Sequence, residues 1–433
     1  MVVLSFRQYG DKTNSVGAVV GALNTASVLN EIRRKGVVSR VELADNLVLG
    51  RSTITDITQR LLVDGHIREV RVDSAGTESG RGRPRIGLGL NPKAAHVAGI
   101  KISMHQIAIS IADFACNLVG STVVPVRTSK QSPAVVADLI HDALRKAAAD
   151  AGLATTDLDG VGVGVPGFID GATGMCHWSP VFRDADVPFA QLLAERLHLP
   201  VFVENDANLV ALAEHWFGEG ADAEELVVVT IEHGVGMGLV LDGRIFRGSH
   251  GFASEFGHTQ VVPDGAPCRC GLSGCVEAYI SDYALVRAAG IAGGQPNLAD
   301  PFELERAVVA ITDKARAGDP VLRKVFADAG VILGRGIANL VKVVDPQRII
   351  FCGNGLRAVD LWFDAMRTTV AALLRHPAGR DTEFRIHRWG DDVWARGAAA
   401  YVLQALYQSH KAFLHPMAES PKPAATLRTA TPT

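Results

Sequence analysis

One short stretch restricts this chain more than any other: His258, Cys268, Cys270 and Cys275 follow one another as H-x9-C-x-C-x4-C, with Gly271 and Gly274 between the last two cysteines. One imidazole and three thiolates form a closed tetrahedral donor set of the kind a structural Zn2+ takes, leaving no open position for metal-assisted hydrolysis. Six cysteines in 433 residues are too few for a disulfide scaffold of this length. In a reducing compartment a cluster of them reads as ligands, while Cys116, Cys176 and Cys352 stand alone and are expected in the core. The first six residues run into Arg7 before an apolar signal region can form, and no apolar run reaches the ~18 residues of a membrane span. A soluble, cytoplasmic chain with no membrane partner is therefore expected.

The charge is unevenly spread. Residues 1–90 hold 13 Lys/Arg against 9 Asp/Glu, a balance of +4, and the remainder holds 30 against 37, a balance of −7, which together give the formal −3. A basic head on an acidic body suits a head that meets phosphates and a body with another task; a chance excess on a solvated face is the alternative. Disorder over most of the chain is excluded by 48% hydrophobic residues, but from about His410 to Thr433 too little apolar content remains to pack, and a disordered tail is expected.

Within the head, three helical patterns follow closely. The first carries Leu29 and Ile32 and ends in Arg33-Arg34-Lys35 before Gly36, cations at a helix C-terminus followed by a glycine stop. The second opens at Ser39-Arg40-Val41-Glu42, a capping box, and is expected to bury Val41, Leu43 and Leu47. The third runs from about Ser52 to Val63 with Ile54, Ile57, Leu61 and Leu62 on one stripe. Arg51, Ser52, Thr53, Thr55, Gln59 and Arg60 are its candidate DNA contacts, since the later helix of a helix-turn-helix enters the major groove. Residues 65–70 and 85–88 alternate as a two-stranded wing around the Gly80-Arg81-Gly82-Arg83-Pro84 loop, whose Arg81 and Arg83 suit a narrow minor groove. The alternatives are a generic interaction module for the helices and a plain linker for the loop.

The pattern changes at Val97. Strands are expected at 97–102, 106–111 and 123–126, a helix over Pro133 to Ala151, and a buried strand at 161–165; a second block restarts near Leu226 with another glycine-rich turn. Two similar α/β halves imply a cleft between them. Asn205-Asp206, read in isolation, is an ordinary helix N-cap.

Four segments together carry a resemblance: residues 251–258 (GFASEFGH), the Cys-x-Cys-Gly-x-x-Gly-Cys-x-Glu run ending at Glu277, Val163-Gly164-Val165-Pro166-Gly167, and Glu204-Asn205-Asp206-Ala207-Asn208. They resemble the ROK family of repressors, open reading frames and sugar kinases, and with its head the chain is similar to the family's regulator branch of xylose and N-acetylglucosamine repressor type. The resemblance implies an α/β, actin-like (ribonuclease-H-like) two-lobed fold behind an N-terminal winged helix-turn-helix. The implied boundaries are an extension over 1–16, the DNA-binding head over 17–90, lobe one over 91–205 with a C-terminal helix over 392–408, lobe two over 206–391 with the zinc site, and the tail over 410–433. It further implies a homodimer or homotetramer on a palindromic operator and a monosaccharide effector held by Asn205, Asp206, Glu255, His258 and Glu277. In this frame the capping reading of Asn205-Asp206 gives way to a sugar-binding one.

The kinases of that family raise the alternative of an ATP-dependent sugar kinase with an added DNA-binding head. Asp206 would be the base that takes the sugar hydroxyl's proton. Kinases of the family open with an Asp-x-Gly-Gly-Thr phosphate turn, where this chain has Lys101-Ile102-Ser103-Met104-His105; the second turn, Gly-Thr-Gly-x-Gly, is here Glu232-His233-Gly234-Val235-Gly236. Only Gly353-Asn354-Gly355 survives of the nucleoside-side loop. Phosphoryl transfer needs a cradle that accepts a triphosphate and Mg2+, so the expectation is a regulator without catalytic residues.

Overall fold

The computed structural model describes residues 16–72, 85–290, 298, 300–374, 381–388 and 391–408. Arg81 and Arg83, the extension over 1–15 and the tail from 409 lie outside the described residues.

The head is built from α1 (Val16–Lys35), β1 (Val37–Val38), α2 (Arg40–Leu47), α3 (Arg51–Val63), β2 (Ile67–Val72) and β3 (Arg85–Leu90). The Ser39–Glu42 capping box forms in both directions and starts α2. Three residues then turn the chain, with Val48 in the left-handed region, before α3 buries Ile54, Ile57 and Leu61. Strand β3 lies between β1 and β2, antiparallel to both, so the hairpin and the short first strand form one small sheet beside the helices. Val41 corrects the expected helix face: it is 51% exposed, because the core side of α2 is taken by Leu43 and Ala44.

The chain enters the body through the short helical turn 92–94. Strands β4 (His96–Ile102), β5 (Gln106–Asp113) and β6 (Leu118–Pro125) form an antiparallel meander. β6 begins earlier than the sequence pattern indicates: it is a half-exposed edge with Leu118, Val119 and Val123 turned outward, and Gly120, Ser121 and Thr122 interrupt its apolar run. After α4 (Pro133–Asp150), opened by the Ser132 cap, β7 (Gly160–Val165) joins β4 in parallel. A small hairpin of β8 (Phe168–Asp170) and β9 (Met175–Trp178) follows, then α5 (Phe189–Leu197), and β10 (Val201–Asn205) pairs in parallel with β7. The sheet order is β10-β7-β4-β5-β6.

After α6 (Asp206–Phe217) the same plan repeats. β11 (Glu225–Ile231), β12 (Val235–Leu241) and β13 (Arg244–Ile245) form the meander, and β14 (Arg348–Cys352) and β15 (Glu383–Ile386) extend it in parallel, giving β13-β12-β11-β14-β15. Between them come α7 (Glu277–Ile280), α8 (Asp282–Ala289), α9 (Pro301–Arg316), α10 (Pro320–Val344) and α11 (Val359–Leu373), whose apolar faces pack with β11, β12 and β14 into one core. The last helix, α12 (Asp391–Gln408), returns to β4, β5 and β7 and also packs on α6. This is the two-lobed, actin-like architecture, with α6 and α12 packed between the sheets and strand ends facing an interlobe cleft. Among the described residues no helix is long and apolar enough to cross a membrane.

The head is not hung on a flexible linker. Val28, Ile32, Leu43, Ile54 and Leu88 belong to the same buried cluster as Val97, Trp216, Leu403 and Tyr407 of the body, so head and body share one apolar core.

Candidate functional site

The metal-ligating residues are brought together. One donor atom from each of His258, Cys268, Cys270 and Cys275 lies within 4.8 Å of every other. His258 Nδ1 is 3.6 Å from Cys268 Sγ, and Cys270 Sγ is 3.8 Å from Cys275 Sγ. Two thiolates on a tetrahedral Zn2+ with Zn–S of about 2.3 Å stand about 3.8 Å apart, so the spacing fits that ion. The local chain explains the cluster: Cys268 N–H donates to Leu272 O and Gly274 N–H to Ala266 O, closing a tight hairpin. Gly274 has φ +78°, and a methyl group there would sit 1.8 Å from Val262 O, so no other residue fits. Arg287 clamps the hairpin from α8 by donating to Pro267 O at 2.7 Å and Ala278 O at 2.6 Å. Burial and the neighbouring thiols push the Cys275 thiol up to about 12; a bound cation supplies the charge that would let these sulfurs ionise together. Cys116, Cys176 and Cys352 are buried singly.

A cavity of about 380 Å3, open to solvent, is lined by residues of both lobes. Gly167, Asn205 and Asn208 line it from the first lobe and the start of α6, and Gly236, Ser254 and Glu255 from the second. Of the five residues expected to hold a sugar, Asn205 and Glu255 reach this wall; Asp206, His258 and Glu277 stand outside the lining. The capping reading of Asn205 holds: Oδ1 accepts from the N–H groups of Ala207 and Asn208, and Nδ2 donates to Gly167 O, leaving one N–H for a ligand. Glu277 is turned toward the metal hairpin. Its carboxylate accepts from Val235 N–H at 3.1 Å and from Tyr283 OH at 3.3 Å. Glu255 is pushed up to about 7, first by desolvation and then by Glu277 and Asp206.

Lys101 and Glu232, which open the two segments compared above with kinase phosphate turns, meet across the cleft. Lys101, at the end of β4, is 4% exposed; its Nζ lies 3.7 Å from the Trp394 ring centroid and 3.6 Å from Glu232 Oε1 at the end of β11. His105 and His233 also pair edge-on at 6.3 Å, and His233 Nδ1 is 3.3 Å from Asp282, both of whose carboxylate oxygens accept from Arg357 Nη2. Glu232 is thus paired rather than bare, held against Lys101 at 3.6 Å. A signal was available: opposite charges, Lys101 and Glu232, stand at equivalent strand ends of a repeated plan.

Asp206 is raised from 3.8 to about 6, by desolvation first, with Lys101 opposing and Glu232 reinforcing the rise. Below 3.8 the group is protonated folded or unfolded; between 3.8 and about 6 the folded chain keeps a proton that the unfolded chain has released. Its contribution to stability is therefore full at low pH and lost as pH rises to about 6. Asp206→Asn keeps an oxygen for the Ala207 N–H and should remove that slope. Urea midpoints measured across the pH range should show the variant equal to the parent near pH ~4 and more stable near pH ~7; a less stable variant at neutral pH contradicts this.

On the head, Arg51, Ser52, Thr55, Gln59 and Arg60 are exposed along one face of α3, and Thr53 is half-buried. A contact that sequence reading missed joins head and body. The Arg33 guanidinium, in the last turn of α1, stacks 3.9 Å over the Trp216 ring and donates to Trp216 O at 3.4 Å. Trp216 stacks on Tyr407 in turn. Trp216 sits in the last turn of α6, the helix whose first turn lines the cavity.

The ROK family model matches residues 97–405. The chain is 26% identical over 353 residues to the xylose repressor of Caldicellulosiruptor bescii, covering 80% of this chain and 87% of that protein. It is 32% identical over 313 residues to the glucokinase of Halalkalibacterium halodurans, covering 71% of this chain and 94% of the enzyme. The crystal structure of a ROK family transcriptional regulator, a homolog of the E. coli MLC protein, superposes with a TM-score of 0.74 at 27% identity, covering 90% of this chain and 97% of that one. The nearly complete glucokinase accounts for less of this chain than the regulator does, so the additional length is shared with the regulator.

Proposed function

The chain belongs to the ROK family, and from that premise we propose a sugar-responsive DNA-binding transcriptional regulator, a repressor that leaves its operator when a monosaccharide fills the interlobe cleft. The observation that carries this reading is the path of α6. About 18 Å long at 1.5 Å per residue, it begins at the cavity wall with Asn205 and Asn208 and ends on Arg33 of the head through Trp216. Lobe closure around a ligand would move that end and, with it, the head, which shares the body's core.

Asn205 and Glu255 in the wall, with Asp206, His258 and Glu277 behind it, are the proposed readers of sugar hydroxyls. Zn2+ is the proposed occupant of the His258, Cys268, Cys270 and Cys275 cluster, where it would orient the imidazole without taking part in chemistry. The exposed face of α3, from Arg51 to Arg60, is proposed for the major groove, with Arg81 and Arg83 in the minor groove. Two heads of a homodimer or homotetramer would read a palindromic operator in the cytoplasm.

The rival, a sugar kinase with a DNA-binding extension, draws on Asp206 and the glucokinase likeness. Against it stands the pair of buried Lys101 and half-buried Glu232, at the strand ends where a triphosphate would need glycine turns. Purified protein should be retained on its own promoter DNA in a salt-dependent manner and released by a monosaccharide. Arg33→Ala should keep the retention and lose the release. Sugar-dependent ADP formation abolished by Asp206→Ala would overturn the regulator reading.

A further inference from the structure

We infer that the cleft selects an uncharged, unphosphorylated sugar, and that Asn208 and Ser254 read its hydroxyls alongside the residues expected from sequence. The inference rests on the proposed sugar-effector reading and names the ligand's class.

The wall of the cavity offers no cation for a phosphate. Its lining holds one charged side chain, Glu255, and no lysine, arginine or histidine. The start of α6 faces the cavity, and a helix N-terminus is ordinarily an anion site. Here its first free donors are already satisfied, because Ala207 N–H and Asn208 N–H are held by the side chains of Asn205 and Asp206. Two cations elsewhere in the cleft region lie outside the lining and are paired with carboxylates, Lys101 with Glu232 and Arg247 Nε with Glu204 at 2.6 Å, although Arg247 Nη2 has no partner among the described residues.

What the wall does offer is acceptors. Asn208 is 5% exposed; its Nδ2 donates to Glu204, and among the described residues its Oδ1 has no hydrogen-bond partner. A buried amide oxygen left unpaired is costly, and a sugar O–H satisfies it where a phosphate oxygen would repel it. The Ser254 Oγ is likewise buried and without a partner among the described residues. Ser254 also sits at φ +75°, a region where a side chain is strained and glycine is preferred. Among the described wall residues it is the one that carries a side chain in that conformation, which places a hydroxyl in the cavity wall where glycine would place none.

The test is calorimetric titration of the full chain with glucose, mannose and N-acetylglucosamine and with the 6-phosphate of each. At least one free sugar should bind, with its 6-phosphate weaker by about tenfold or more. Ser254→Ala, which keeps the backbone strain and removes the hydroxyl, should weaken that sugar by about tenfold. Ser254→Gly should weaken it similarly while raising the melting temperature, so that lost binding cannot be a folding defect. A 6-phosphate that binds as tightly as the free sugar, or unchanged affinity in Ser254→Ala, overturns this inference and leaves the sugar reading standing. Failure of both series to bind overturns the two together.

Discussion

Gly162→Val should leave no stably folded protein, although it exchanges one strand residue for a better strand former. Gly162 on β7 and Gly99 on β4 are register partners in the centre of the first sheet. A methyl on Gly162 would lie 2.1 Å from Ala398 O, and one on Gly99 would lie 1.8 Å from Ala395 O and 2.3 Å from Ala399 N. The backbone of α12 therefore lies directly on the backbone of the two strands, with no layer of side chains between them. On its other side Gly397 brings α12 equally close to α6, since a methyl there would sit 2.1 Å from Leu209 O. A flexible side chain can swing aside, but a helix carbonyl cannot move without shifting the whole helix. Overpacking an ordinary core position costs about 1–3 kcal/mol; displacing α12 from β4, β7 and α6 together should exceed the ~5–15 kcal/mol that holds a domain folded. Soluble yield and thermal melts would check this, with Gly21→Ala as the control: no atom lies within 4 Å of its added methyl, and it should stabilise α1 by up to about 1 kcal/mol. A Gly162→Val protein that melts within a few degrees of the parent would show that α12 can lift off the sheet.

Loss of the proposed metal centre is the second large effect. Cys275 is fully buried, and its sulfur stands 3.8 Å from Cys270 Sγ. Cys275→Ser replaces a soft ligand by a hydroxyl that stays protonated, leaves three donors crowded without a cation, and should cost more than about 4 kcal/mol. The expected readings are one equivalent of zinc per chain in the parent and none in the variant, by elemental analysis. The midpoint of thermal unfolding should fall correspondingly, and sugar affinity should weaken without any change in the cavity wall. That last effect follows from Glu277, which bonds both to Val235 N–H, beside the cavity, and to Tyr283, next to Cys268. A parent protein purified without chelator that contains no metal, yet melts as before, would remove zinc from the account.

Features confined to a few consecutive residues were legible in the chain. The Ser39–Glu42 capping box, the helical stripe of Ile54, Ile57 and Leu61, and the β4–β5 hairpin are decided by backbone geometry within one or two turns. The clustering of His258, Cys268, Cys270 and Cys275 was legible for the same reason, since four potential donors and two glycines fall within eighteen residues. The repeated strand order was legible because each half carries its own apolar periodicity. Val41 was misread because an eight-residue helix offers too few positions to define a face, and its buried side was set by α1 and α3 rather than by its own pattern.

By itself, then, the sequence pointed to the elements, the candidate metal ligands and the family. Tertiary structure alone decided what long-range contact makes of them. Lys101 and Glu232 neutralise each other because two lobes bring two strand ends together. Asn205 keeps its oxygen for α6 because the cap donors are nearer than any ligand. Arg33 leaves the list of helix-end cations because the fold places Trp216 under it. Asn208 and Ser254 become candidate readers of a ligand only once the same folding that buries them withholds a partner. Local periodicity fixes which way a side chain can point, and only packing fixes what it meets there.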